Sequence, residues 1–137
     1  MDTPEAVPVR ILLTEDHLVN QKVALAMLKK LGYTHIDFAV NGKEALQAVQ
    51  QQRYSMVLMD CQMPVMDGYE ATRQIRQLDD ACYQELPIVA LTAHTMNGDD
   101  QKCYEAGMND YLSKPVRLEE LQQKLEKWLR VQHKLAA

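Results

Sequence analysis

Short apolar runs alternate with helical patterns along this chain, and that alternation leaves few folds open. Val9-Arg10-Ile11-Leu12-Leu13-Thr14 is too brief for a helix, is rich in strand formers, and stops at Glu15-Asp16. Leu18 to Leu31 carries a helical pattern, with Val19, Val23, Met27 and Leu31 near i, i+4 spacing and Gly32 as a C-cap. His35 to Val40 reads as a second strand, Asn41-Gly42 as a turn, and Lys43 to Gln52 as a helix with Ala45, Leu46 and Val49 on one face. Tyr54 to Met59 is a nearly all-apolar third strand that ends at Asp60. Gln62 to Gly68 is a loop, and Tyr69 to Leu78 a helix. Pro87 to Thr92 is the fourth strand, and a weakly amphipathic helix from Met96 to Ala106 closes at Gly107. Asp110 to Ser113 is a short fifth strand, followed by Lys114-Pro115. Leu118, Leu121, Leu125 and Trp128 mark a last amphipathic helix.

Such alternation predicts a parallel sheet with helices on both faces, and strands that are apolar throughout suit a sheet covered twice. Ligands of these sheets bind beyond the carboxyl ends of the strands. Glu15-Asp16, Asp60, Thr92 and Ser113-Lys114 stand at those ends, so three carboxylates, a hydroxyl and an ammonium converge. The second strand offers nothing comparable, as befits a sheet edge. Gathered carboxylates repel one another, and a hard divalent ion such as Mg²⁺ relieves this with carboxylate and phosphate oxygens. Lysine and threonine supply donors for a phosphoryl group, and a carboxylate can itself be the nucleophile, forming an acyl phosphate.

Composition narrows the function. Apolar residues make up 47% of the 137, enough for a core, but aromatics are only 6%, so aliphatic residues and methionine must fill it. A net charge of −4 disfavours nucleic acid as a partner. No run approaches the roughly 20 apolar residues of a membrane span, so no direct membrane contact is expected. Met1–Pro8 lacks the apolar stretch of a signal peptide. Cys61, Cys82 and Cys103 are odd in number and widely spaced, which fits free thiols in a reducing cytoplasm better than disulfides or zinc. His17, His35, His94 and His133 are scattered, and solvated or packing roles are expected for them. Met56 is assigned to the core; Met59, Met63, Met66, Met96 and Met108 suit either core or an adaptable partner surface. The domain reading is a tail or linker remnant at 1–8, one domain at 9–130 and a C-terminal tail at 131–137.

The sequence resembles the receiver domain of two-component response regulators. The motifs are Ile11-Leu12-Leu13-Thr14-Glu15-Asp16, Asn41-Gly42-Lys43-Glu44-Ala45, Leu91-Thr92-Ala93 and Tyr111-Leu112-Ser113-Lys114-Pro115, with Met59-Asp60-Cys61-Gln62-Met63-Pro64-Val65-Met66-Asp67-Gly68 between them. The last of these looks most like receivers of bacterial hybrid sensor histidine kinases. The resemblance implies a flavodoxin-like, doubly wound five-stranded sheet in the order 2-1-3-4-5. It implies Asp60 as phosphoacceptor, with catalytic help from Thr92 and Lys114. It also implies Mg²⁺ held by Asp16, by Glu15 through water, by Asp60 and by the backbone carbonyl of Gln62. Thr92 and Tyr111 would be switch residues, with a static half-buried Tyr111 equally open, and Lys114-Pro115 would be a cis peptide. Phosphorylation would then act on the face formed by the last two strands and the helices that follow them.

The implied function is phosphorelay signalling. A histidine kinase transmitter domain supplies the phosphoryl group, Asp60 accepts it, and a histidine phosphotransfer domain takes it on. The favoured context is a piece of a hybrid kinase, dimeric and anchored in the inner membrane with this domain in the cytoplasm; the alternative is a stand-alone response regulator. The domain would catalyse only its own phosphorylation, while the parent chain would be the protein kinase. His17 replaces an asparagine common in such relatives, and Gln62 and His94 occupy positions that tune acyl phosphate lifetime. Three rivals fit less well. A metal-dependent phosphatase or topoisomerase-primase fold wants Asp-x-Asp where this chain has Asp60-Cys61-Gln62. A flavin or nucleotide module wants a glycine-rich loop, and there are five glycines in all. A phosphorylation-independent adaptor would not need the complete acidic set.

Overall fold

The computed structural model describes the backbone of residues 9–93 and 99–136 and the side chains of 9–93 and 101–129. The apolar runs become five strands, β1 (Arg10–Thr14), β2 (His35–Ala39), β3 (Met56–Asp60), β4 (Ile88–Thr92) and β5 (Asp110–Ser113). All pair in parallel in the order β2-β1-β3-β4-β5, with Thr14 beside Met59, Asp60 beside Leu91 and Thr92 beside Ser113. This is the doubly wound order the sequence implied. Every residue of β3 and β4 is buried, as interior strands covered on both faces require. β2 lies at the edge and is the least buried strand.

Six helices complete the described residues: α1 (Leu18–Lys30), α2 (Gly42–Gln51), α3 (Gly68–Arg76), α4 (Ala81–Glu85), α5 (Asp99–Ala106) and α6 (Leu118–Ala136). Strand residues split by parity between two cores. Leu12, Val57, Met59, Ile88 and Ala90 face α2, α3 and α5, where Val49, Ile75 and Cys103 meet them. Ile11, Leu13, Leu58, Val89 and Leu91 face α1 and α6, against Leu28, Leu121 and Leu125. Met56, Met59 and Met108 lie in these cores, and Met63 and Met66 pack partly against the first. All three cysteines are free thiols, with Cys61 and Cys103 buried.

Three local expectations need correction. Val19 and Val23 do not face the core; they are exposed, and α1 buries Ala24 and Leu28 instead, with Met27 and Leu31 partly covered. The sheet selects the stripe that allows α1 to lie close, and alanine makes that possible. Second, the sequence pattern gives no sign of α4. It is one polar turn started by Asp80, whose side chain accepts from the Cys82 amide, and it buries none of its own residues. Third, the last helix continues to Ala136, through the stretch read as a tail. His94 and Met96, and the first turn expected of the helix ending at Ala106, lie outside the described residues.

The amino ends of the strands carry a lock of their own. Asp110, buried at the start of β5, accepts from Lys124 Nζ at 2.9 Å and Trp128 Nε1 at 3.0 Å on α6, and from the Tyr111 amide. Burial pushes its carboxyl up, but the Trp128 and Lys124 donors outweigh that and hold it below its ordinary value. A depressed carboxyl stabilises the fold above its unfolded pKa, and the contribution is lost as pH falls through the folded value. Asp110→Asn is therefore expected to cost about 1–3 kcal/mol near neutral pH. The gap from wild type should close as pH falls through that depressed value, which urea melts across the acid range will check.

Candidate functional site

β1, β3, β4 and β5 all end at one edge of the sheet. β1 delivers Glu15 and Asp16, β3 Asp60, β4 Thr92 and β5 Lys114. Glu15 is 1% exposed and held at every oxygen. Its Oε1 lies 3.2 Å from Lys114 Nζ, its Oε2 accepts from the His17 amide at 3.1 Å, and its carbonyl accepts from Gln21 Nε2 at 2.7 Å. Asp60 is 3% exposed; Oδ2 lies 2.9 Å from Lys114 Nζ, and Oδ1 accepts from the Gln62 amide at 3.2 Å. Desolvation pulls the Lys114 ammonium down, but its contacts with Asp60 and Glu15 outweigh this and hold it above its ordinary pKa.

The loops around this cluster are set by backbone contacts. Lys114 donates its amide to the Thr92 carbonyl at 2.8 Å, and Lys114-Pro115 is cis. Thr92 is buried at the neighbouring strand end. Asp67 caps α3 by accepting from the Glu70 amide, and Gly68 follows because a Cβ there would fall on the Asp60 carbonyl. Gly42 makes the matching approach: its amide donates to the Met66 carbonyl at 2.8 Å, and a Cβ would lie 2.6 Å from that oxygen. The loop after Asp60 is thus pinned from both sides.

One oxygen from each of Glu15, Asp16 and Asp60 lies within 4.8 Å of the other two. Lys114 neutralises part of this charge, and it contacts Glu15 and Asp60 rather than Asp16. Asp16 Oδ1 is buried with no hydrogen-bond partner. A buried carboxylate oxygen without a donor is costly, and a small hard cation satisfies it. The donor set, all oxygen and strongly anionic, fits a divalent ion such as Mg²⁺.

The cluster brings together Glu15, Asp16, Asp60 and Lys114. Gln62 contributes its amide to Asp60 while its side chain is exposed. Tyr111 is half-buried in the layer of α3 and α5, edge-to-face with Tyr104 at 6.3 Å between ring centres. His17 is the exposed N-cap residue of α1, with no side-chain capping bond. Two features escape sequence reading. Glu15 shares Lys114 with Asp60, a pairing across the whole chain that no spacing signals. A cavity of about 180 Å³ opens beside Lys114, lined by Leu13, Asn20, Val23, Leu91, Pro115 and Val116 among others.

Lys114→Met would leave two buried carboxylates without their cation. Lys114 is partly solvated, so the expected loss is roughly 2–3 kcal/mol, read as a lower urea midpoint.

The family model for the response regulator receiver domain matches residues 11–126. A hybrid signal transduction histidine kinase (kinase B) of Dictyostelium discoideum is 46% identical over 121 residues; the match takes in 82% of this chain but only 6% of that protein's length. The receiver domain of a sensor histidine kinase from Pseudomonas aeruginosa, solved with magnesium coordinated in its active-site cleft, is 46% identical with a TM-score of 0.81. That match covers 90% of this chain and 98% of the other. A Saccharomyces cerevisiae co-crystal of a histidine phosphotransfer signalling protein with the receiver domain of its downstream response regulator gives a match at 33% identity and a TM-score of 0.81, covering 91% of each chain.

Proposed function

This chain belongs to the response regulator receiver family, and from that membership we propose that it is the phosphoryl-accepting module of a histidine-to-aspartate phosphorelay, with Asp60 as acceptor. The observation that carries the reading is the Glu15–Asp16–Asp60 cluster with Lys114 bonded to Asp60. The Asp60 carboxylate attacks phosphorus, the phosphorus–nitrogen bond of a phosphohistidine breaks, and the electron pair leaves with the imidazole, which takes a proton. The product is an aspartyl phosphate. Lys114 holds Asp60 in place and offers its ammonium to a phosphoryl oxygen as charge develops there. The Thr92 hydroxyl donates to another oxygen from the adjacent strand end. The Glu15 carboxylate fixes Lys114 from behind, and the Gln62 amide orients Asp60 Oδ1. Asp16 and Asp60, with the Gln62 carbonyl and Glu15 beside them, would hold a magnesium ion, which would supply positive charge to the phosphoryl oxygens.

Phosphorylation replaces the single negative charge of the Asp60 carboxylate with roughly −1.5 to −2 on the aspartyl phosphate, beside Thr92 and Lys114. These groups respond, and the rearrangement passes to β4, α5, β5 and α6, with Tyr111 and its Tyr104 contact on that face. The donor is a histidine kinase transmitter domain, and the acceptor is a histidine phosphotransfer domain. The hybrid-kinase relatives support a histidine kinase as the parent. Our reading of that parent is a dimer anchored in the inner membrane that carries this module in the cytoplasm. Within this parent the kinase activity belongs to other segments. Among the described residues no helix is long and apolar enough to cross a membrane.

Acetyl phosphate with magnesium should add one phosphoryl group to the wild type, read by intact mass and removed by hydroxylamine. Asp60→Asn should gain none, Asp16→Asn should lose labelling by about a hundredfold, and chelation by EDTA should abolish it in the wild type. Label that persists on Asp60→Asn would contradict the assignment.

A further inference from the structure

Two thiols from different elements meet beside the phosphoacceptor. Cys61 follows Asp60 directly, and its Sγ lies 4.0 Å from the Sγ of Cys103 on α5, a residue 42 positions away. The two are 2% and 0% exposed. Cys61 is fixed at the end of β3: its amide donates to the Leu91 carbonyl at 3.1 Å, and its carbonyl accepts from the Gly68 amide at 3.1 Å. α5 is held far more lightly. From Gln101 to Ala106 only Cys103 and Ala106 are buried. The firm hold lies beyond them, where Arg76 Nε donates to the Gly107 carbonyl at 2.9 Å. A helix with so little buried apolar surface opens locally at low cost, and opening about Gly107 carries the Cys103 thiol into solvent.

We propose that Cys61 and Cys103 are a reversible redox pair, closed to a disulfide by a small peroxide, and that the bond ties α5 to the segment that carries Asp60. With hydrogen peroxide as oxidant, the Cys103 sulfur attacks one oxygen, the O–O bond breaks, and the departing hydroxide takes the thiol proton to become water. Cys103 is then a sulfenic acid. When α5 closes, the Cys61 sulfur attacks that sulfur, the S–O bond breaks, and hydroxide leaves with the Cys61 proton as a second water. The two thiols have lost two electrons, and the peroxide has gained them. The sulfurs must approach by about 2 Å to reach the roughly 2.05 Å of a disulfide. Backbone bonds pin Cys61, so α5 makes that movement and is then held. A small uncharged oxidant suits a pair this deeply buried, and in a reducing compartment such a bond is transient, as a sensing disulfide is. The consequence for the relay rests on Asp60 being the phosphoacceptor. A tethered α5 resists the rearrangement that phosphorylation drives through it, and by the reciprocity of coupling it resists phosphorylation itself.

The test treats the reduced wild type with a modest excess of hydrogen peroxide, then denatures it, alkylates it with N-ethylmaleimide and weighs it intact. The reduced chain should take three maleimides, one per cysteine, and the oxidised chain one, on Cys82. Peptide mapping should find the link between Cys61 and Cys103, and dithiothreitol should remove it. In Cys61→Ser the Cys103 sulfenic acid should persist and be trapped by dimedone. Acetyl phosphate should label the oxidised wild type about fivefold more slowly than the reduced. Cys103→Ser should label at one rate with or without peroxide. Three maleimides after peroxide would overturn the pair, as would a bond through Cys82 or between two chains. Equal labelling of the oxidised and reduced wild type would overturn the tether. A reduced wild type that takes no label from acetyl phosphate would instead count against Asp60 as acceptor, and the maleimide count would still decide the pair.

Discussion

The ammonium of Lys114, shared between the carboxylates of Glu15 and Asp60, is the contact on which the site's arrangement depends. It joins the end of β5 to the ends of β1 and β3, and so ties three non-consecutive stretches of chain into one pocket. The three acids would repel one another without it, yet one ammonium does not balance them. Asp16 Oδ1 remains buried and unpartnered. The site is therefore held together while retaining affinity for one more small cation and for a phosphoryl group that brings its own oxygens. Stability and chemistry draw on the same imbalance.

The rest of the fold keeps this pocket in register. Parallel pairing puts the strand ends on one edge, and β1 lies between β2 and β3, where the chain order reverses. The fully buried β3 and β4 allow Asp60 and Thr92 little freedom, because both cores close around them. Gly42 and Gly68 let the following loops approach closely enough to pin the segment from Cys61 to Asp67. At the opposite ends of the strands, Asp110 anchors α6 through Lys124 and Trp128, away from the chemistry. Arg76 fastens the α3–α4 region to the end of α5 through the carbonyls of Gly107, Tyr83 and Leu86, and burial pulls its guanidinium down to about 10.

Much of this is legible in the sequence because two signals reinforce each other. Unbroken apolar runs mark strands buried on both faces, and the polar residue that stops each run marks the functional edge. Other features leave weaker marks. On α1 two apolar stripes compete at helical spacing; the valines attract attention, but the sheet takes the side that carries Ala24 and Leu28. The turn at α4 is too short and too polar to show a period. The sharing of Lys114 by Glu15 spans the chain and depends on strand order. The φ of +72° at Val65 leaves no mark in the sequence, since valine is among the residues least suited to a positive φ.

The central claim is that Asp60 receives a phosphoryl group while Lys114 and the acidic pair surround it. A crystal structure grown with magnesium and beryllofluoride, a stable mimic of an aspartyl phosphate, tests this most directly. The account predicts beryllium bonded to an Asp60 carboxylate oxygen, Lys114 and Thr92 each donating to a fluoride, and magnesium on Asp16 and Asp60. Beryllofluoride on another residue, or magnesium bound away from Asp16, would contradict it.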